Sequence, residues 1–347
     1  MDIYMDFDHF SSFMRNMSNE HFRMCNEMIK SNCDIYFTFS KDELIHAKKN
    51  VYRNYALWAK GLSTNRRGHV TRYDSDCPHF TNISSFESDK KFAALTSIYF
   101  VSGEDEHLLK DSIGNEVDQL RQFAIDDENI PTQLYSTRNM TDWEFIRKNS
   151  LPCSDIIIAD LYLFSQSDTL YERNAYQLVY DLCSKVKNRQ VNIVFFTKGK
   201  VNVIDSERLG INGRPIERSE DIPYNMITRN LKDNLKKRYN IEANITFVVL
   251  RKEEHDRTIF TNFKLFISGD SYKFFNNIIE GVVNNGRWVT VNTLIHNNIY
   301  RLSKEFIDDM QIIVDGLKSS LAGIRGDKIS NFLNFDKPVQ LVCTDND

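Results

Sequence analysis

Three short apolar runs constrain this chain most: Ile156-Ile157-Ile158-Ala159, Val191-Asn192-Ile193-Val194-Phe195-Phe196 and Ile245-Thr246-Phe247-Val248-Val249-Leu250. Each is too short for a helix and apolar on nearly consecutive positions, the pattern of a strand buried on both faces of a parallel sheet. Between the first two, Ala175, Leu178, Val179, Leu182 and Val186 recur along one helical face. Strand, helix and strand in that order close most simply as a right-handed βαβ unit, which predicts an α/β fold. Asp160-Leu161-Tyr162 closes the first run, and Gly210, Gly213 and Pro215 mark an irregular insertion after the second. A basic helix follows, with Ile227, Leu231 and Leu235 on its apolar face, and Leu302, Phe306, Met310, Ile313, Leu317 and Leu321 mark a closing helix.

The first half alternates in the same way. An apolar-rich helical stretch opens it, carrying Phe10, Phe13, Met14, Met17, Phe22, Cys25 and Ile29, and a strand is expected over residues 34–39. Ser40 with Glu43 three positions on is a capping box, and it starts a helix with Leu44, Ala47, Val51, Tyr55, Trp58 and Leu62. The polar stretch over residues 63–91 reads as an extended surface excursion. A strand over residues 97–101 then precedes a helix through Leu109, Ile113, Val117, Leu120 and Phe123. Prolines and polar residues between Asp126 and Pro152 interrupt the pattern. The expected organisation is an N-terminal α/β domain over residues 1–148, a second α/β domain over 149–325 and a tail over 326–347.

Two domains also suit the length of 347 residues. Basic and acidic residues number 44 and 48, a net charge of −4, which excludes a globally basic nucleic-acid coat protein and leaves room for a local basic groove. The 6 cysteines form no CxxC pair and fit neither a disulfide framework nor a zinc ribbon; they read as the reduced thiols of a cytoplasmic protein. No run of about 18 apolar residues occurs, so no transmembrane segment is expected. The N-terminus carries Asp2 and Asp6 where a secretory signal carries base, which also points to the cytoplasm. No GxGxxG, Walker loop, HExxH or GxSxG is present, so nucleotide hydrolysis and the common hydrolase mechanisms have no support.

The third apolar run leads directly into His255-Asp256-Arg257, followed by Thr261-Asn262 and Ser268-Gly269-Asp270-Ser271. This layout resembles the phospholipase D superfamily, whose signature is His, any residue, Lys, four residues, Asp, then six residues to a Gly-Ser pair. His255 matches the histidine, Arg257 the lysine, Asn262 the aspartate and Gly269 the glycine, with Asp270 where the family has serine. The His-Asp-Arg form is also similar to the divergent phospholipase D-like domain at the C-terminus of MIT-domain proteins. The resemblance covers about residues 150–300.

It implies a phospholipase D-like α/β sandwich in which His255 attacks a phosphodiester and forms a phosphohistidine, splitting one hard displacement into two easier ones. Arg257 would clamp the phosphate, Asn262 would stand for the carboxylate, and Ser268, Gly269, Ser271 and Asp160 would line the substrate. The chemistry calls for no metal or other cofactor. It does call for two histidines, and His296, with Asn298 at plus two, makes no second motif. Catalysis therefore implies a homodimer that faces two His255 side chains. The expected function is a metal-independent nuclease or nucleic-acid-directed effector, a role suited to antiviral defence. The alternative is an inactive module that binds a protein partner, an anionic lipid or nucleic acid.

Two further groups carry weaker expectations. Arg229, Lys232, Lys236, Lys237 and Arg238 are either a nucleic-acid contact or a solvated helix face. Asp34, Glu43, Glu104, Asp105 and Glu106 are either a metal-dependent site or helix caps and solvated charge, the second being the commoner use of such residues.

Overall fold

The computed structural model describes residues 2–7, 10–11, 14, 18, 20–37, 39–40, 42–43, 71–73, 96–100, 132–138, 140–151, 153–165, 168–186, 190–209, 215–250, 257–275, 288–318, 323–327, 329–330 and 332–333. The chain is an α/β protein of two compact units: Met1–Pro131 with Thr293–Phe306 and Asn334–Asp347, and Thr132–Asn292 with Ile307–Leu333.

In the first unit, β1 (Asp2–Met5), β2 (Asp34–Phe37), β3 (Thr71–Arg72) and β4 (Ile98–Phe100) form a parallel sheet in the order β3-β2-β1-β4. Helix α1 (Glu20–Asn32) leads into β2. From sequence alone the chain opens on a helix, and β1 carries no strand signal because its three apolar residues are bracketed by Asp2 and Asp6. Ile3, Tyr4 and Met5 are nevertheless buried, and β1 pairs with both β2 and β4. Tyr4 stacks on its register partner Tyr36 at 4.8 Å, and Phe10 meets Phe37 edge-on at 5.2 Å. The capping box is formed: Ser40 N–H donates to Glu43 Oε2 at 2.6 Å and Glu43 N–H to Ser40 Oγ at 3.0 Å. The expected helices through Leu44–Leu62 and Leu109–Phe123 lie outside the described residues, apart from the start of the first at residues 42–43.

The second unit is built on an eight-stranded mixed sheet. Its strands are β5 (Thr132–Ser136), β6 (Asp155–Ala159), β7 (Gln190–Lys198), β10 (Glu242–Leu250), β11 (Arg257–Thr261), β12 (Lys264–Ser268), β13 (Trp288–Thr293) and β14 (Ile324–Gly326), in the order β14-β10-β7-β6-β11-β12-β13-β5. The three apolar runs are the central parallel strands β6, β7 and β10. Their alternate residues Ile156, Ile158, Ile193, Phe195, Ile245 and Phe247 join one core cluster, and Ile157, Val194, Phe196 and Val248 are buried as well. Burial on both faces is why these runs lack the alternation of a half-exposed strand.

A helical run links β6 to β7: α3 (Asp168–Tyr171), a π-helical turn (Glu172–Tyr176) and α4 (Gln177–Leu182). Helix α5 (Tyr224–Tyr239) links β7 to β10 and ends on Asn240 in the left-handed conformation, φ 55°, with its N–H on the Lys236 carbonyl at 3.0 Å. Helix α6 (Asn297–Lys318) follows β13.

The segment read as a boundary carries the edge strand β5 and helix α2 (Glu144–Asn149), so the expected join at 148/149 falls within the second unit. The segment read as an irregular insertion is an antiparallel hairpin, β8 (Lys200–Leu209) with β9 (Pro215–Asp221), forming its own two-stranded sheet. Among the described residues, no helix is long and apolar enough to cross a membrane.

Candidate functional site

The carboxyl ends of β6 and β7 and the starting end of β11 meet at one edge of the second sheet. Asp160 follows β6 directly, and its N–H continues the ladder onto the Phe196 carbonyl at 3.1 Å. Lys198 ends β7, with its N–H on the Leu161 carbonyl at 3.4 Å. Antiparallel pairing of Thr258 with Ala159 sets Arg257 at the same edge, and pairing of Arg257 with Ser268 brings the β12 terminus beside it.

Asp160 organises this edge. Its side chain is buried and accepts hydrogen bonds from Tyr162 N–H at 2.9 Å, Ser271 Oγ–H at 2.8 Å and Tyr272 N–H at 2.6 Å. Burial pushes its carboxyl above the ordinary range, while those three donors and the nearby Arg257 guanidinium pull it back. One carboxylate thereby ties the turn after β6 to the loop after β12, two segments remote in sequence.

The two tied segments bring Tyr162 and Lys273 to the ends of β7 and β11. Three cations surround the Tyr162 ring: Lys198 Nζ at 4.2 Å from the centroid, Arg257 Cζ at 5.7 Å and Lys273 Nζ at 5.7 Å. Lys273 Nζ also donates to Ser165 Oγ at 2.9 Å. Each contact with the ring face contributes about 0.5–2 kcal/mol, so the tyrosine helps gather charges that would otherwise repel. A phosphate about 4 Å from one such cation gains roughly 4 kcal/mol before desolvation at an effective dielectric of about 20. Gly269 lies exposed beside Arg257, whose Nη1 reaches the Gly269 carbonyl at 3.5 Å, and a Cβ added at Gly269 would meet open space.

Of the residues singled out in the sequence, Arg257, Asp160, Ser268, Gly269 and Ser271 come together here. The two serines serve the loop itself: Ser268 Oγ accepts from Asp270 N–H at 3.2 Å, and Ser271 Oγ–H is given to Asp160. Asn262 lies elsewhere, at the opposite end of β11, which at about 3.4 Å per residue is roughly 17 Å away. There its buried Oδ1 accepts from Ser154 N–H at 2.8 Å and Asp155 N–H at 3.0 Å, anchoring the start of β6. His255 lies outside the described residues. The strand order sets the carboxyl ends of β7 and β6 between Leu250, where β10 stops, and Arg257, where β11 starts.

Lys198, Tyr162 and Lys273 had no mark in the sequence reading as site residues. Each is an isolated residue at a strand end or in a loop, and only the topology joins them.

The basic face of α5 is largely used within the fold. Lys232 pairs with Asp327 at 2.6 Å, Lys236 with Glu242 at 2.5 Å and Arg238 with Glu172 at 3.8 Å. In the first unit, Asp34 begins β2 while Glu43 caps beyond its other end, so these two do not gather. Glu104, Asp105 and Glu106 lie outside the described residues. Among the described residues, no group of three or more His, Cys, Asp or Glu side chains is placed to hold a metal ion.

Fold and site define an α/β protein whose second sheet carries a cation-rich carboxyl edge. No family model matches the chain, and no curated protein matches it. Among solved structures, one similar chain is TrmBL2, an archaeal chromatin protein described as showing a novel mode of DNA binding. The match has 9% identity and a TM-score of 0.25, and it covers 62% of this chain and 60% of that one. This chain thus spans less than two thirds of that structure's length, and a likeness at this level carries no argument about function.

Proposed function

We propose that the second unit is a phospholipase D-like domain directed at the phosphodiester groups of nucleic acid, with Lys198, Arg257 and Lys273 as its phosphate clamp. The gathering of these three cations around Tyr162 carries the reading. His255, two residues before Arg257, is the nucleophile, and a homodimer supplies the second histidine. A permanent guanidinium with a planar fork suits a phosphate held by two oxygens, and the lysines add charge with freer geometry. No step in this chemistry requires a metal.

A second reading, a clamp that binds without cutting, is favoured by the use of Ser268, Ser271 and Asn262 within the fold rather than toward a substrate. Both readings share the clamp. Binding of a fluorescent twenty-nucleotide dT strand, followed by anisotropy in EDTA over a salt series, tests it. Arg257→Ala is expected to weaken binding about tenfold, equivalent to about 1.4 kcal/mol, and to lower the salt slope by about 0.7, the value of one phosphate contact on a single strand. Unchanged affinity and slope in Arg257→Ala and Lys198→Ala would remove the clamp from the account.

A further inference from the structure

The helical run between β6 and β7 contains an irregularity that the clamp itself does not explain. Its middle turn, Glu172–Tyr176, is π-helical, so one extra residue shifts the phase of the side chains and spoils the regular pairing of the backbone. The displaced groups are used at once. The Arg173 carbonyl accepts Trp143 Nε1–H at 2.8 Å, and Asn174, fully buried, grips the backbone of Phe275 at both ends. Asn174 Nδ2–H donates to the Phe275 carbonyl at 2.8 Å, and Asn174 Oδ1 accepts Phe275 N–H at 2.9 Å. Trp143 stacks on Phe274 at 5.2 Å and meets Phe275 edge-on at 5.5 Å, while the Arg173 guanidinium lies 5.3 Å from the Phe275 ring.

Phe275 lies two residues beyond Lys273. The segment at residues 271–275 is therefore fixed at two points: by Asp160 on Ser271 and Tyr272, and by Asn174 on Phe275. Lys273 lies between the two anchors. A lysine has four rotatable bonds and loses up to about 2 kcal/mol of side-chain entropy when ordered, so a loose backbone beneath it would leave its ammonium unplaced.

We infer that Asn174 is a positioning residue for the phosphate clamp: the π turn exists to aim this amide at Phe275, and the two-point grip holds Lys273 at the Tyr162 ring. The inference rests on the clamp reading above. Asn174 touches no ligand and acts only through the segment at residues 271–275.

The test joins amide hydrogen exchange with a double-mutant cycle on the same dT strand. In Asn174→Ala, the amides of Tyr272 and Phe275 are expected to exchange at least tenfold faster, with β7 amides unchanged as the control for an intact fold. Affinity for the strand is expected to fall about fivefold, and adding Asn174→Ala to Lys273→Ala is expected to cost nothing further, because the two changes remove one contribution. If the alanine variant does not fold, Asn174→Asp, which keeps the acceptor for Phe275 N–H and loses the donor to its carbonyl, takes its place. Losses that add, instead of overlapping, would make Asn174 a general stabiliser and overturn the inference. Unchanged exchange at 271–275 would overturn it whatever the DNA data show. Faster exchange together with full affinity in Lys273→Ala would leave the mechanical link standing and remove the clamp reading instead.

Discussion

Asp160→Ala is expected to lower the melting temperature of the second unit by roughly 6–12 °C and to weaken binding at the clamp. The carboxylate satisfies three donors: Tyr162 N–H, Tyr272 N–H and Ser271 Oγ–H. Leaving buried donors unsatisfied costs about 1–3 kcal/mol each, and about 3 kcal/mol in total is a conservative sum where water reaches some of them. At about 2–4 °C per kcal/mol for a domain of this size, the shift follows. Binding falls for a different reason: this one anchor holds both the turn that carries the Tyr162 ring and the loop that carries Lys273.

The pH dependence has a definite sign. Burial raises the folded-state pKa of Asp160 above its unfolded value, so the folded protein holds the extra proton between the two. The stability that this proton contributes is fully present below about pH 4 and is lost as pH rises through the folded-state value. Asp160→Asn, which does not titrate, removes this slope. Thermal melts of the two proteins from pH 4 upward should show the wild type losing ground to Asp160→Asn, and a wild type that gains ground contradicts the assignment.

Asp155→Ala is expected to have an effect of comparable size at the other end of the same strand, about 3 kcal/mol from three donors left without their acceptor, seen as a large drop in the urea midpoint. Asp155 is fully buried and accepts from Ser154 Oγ at 2.7 Å, Ser330 Oγ at 2.6 Å and Asn192 Nδ2 at 3.2 Å. The Ser330 contact ties a segment near the end of the chain to the middle of the sheet. Binding to the dT strand by the folded fraction should remain, since this network lies a strand's length from the clamp. A midpoint within about 0.5 kcal/mol of wild type, the range of ordinary surface substitutions, would show that the network carries no stability.

What the sequence disclosed depended on burial. Strands β6, β7 and β10 were legible because a strand buried on both faces must be apolar almost throughout. Strand β5, Thr-Gln-Leu-Tyr-Ser, was not, because at a sheet edge it is only partly buried, with Leu134 62% exposed. Strand β8, Lys-Val-Asn-Val-Ile-Asp-Ser-Glu-Arg-Leu, lacks such an apolar run as well, and it pairs with β9 in a separate two-stranded sheet.

The site was half legible on the same terms. Arg257, Gly269 and Asp160 follow from spacing along a hairpin and from the end of an apolar run, both local signals. Lys198 and Lys273 come from separate elements, and nothing near either in sequence marks it out. Asn262 shows the limit of spacing alone: its place in the pattern holds, yet its amide caps the start of β6 and stands apart from Arg257.

Cleavage of labelled single- and double-stranded DNA and RNA in EDTA, by wild type and by His255→Ala, tests the central claim most directly. The account predicts metal-independent cleavage by wild type, loss of cleavage in His255→Ala, and retained binding in that variant. Cleavage that requires added magnesium or manganese and persists in His255→Ala would contradict it and would move the chemistry away from this sheet edge.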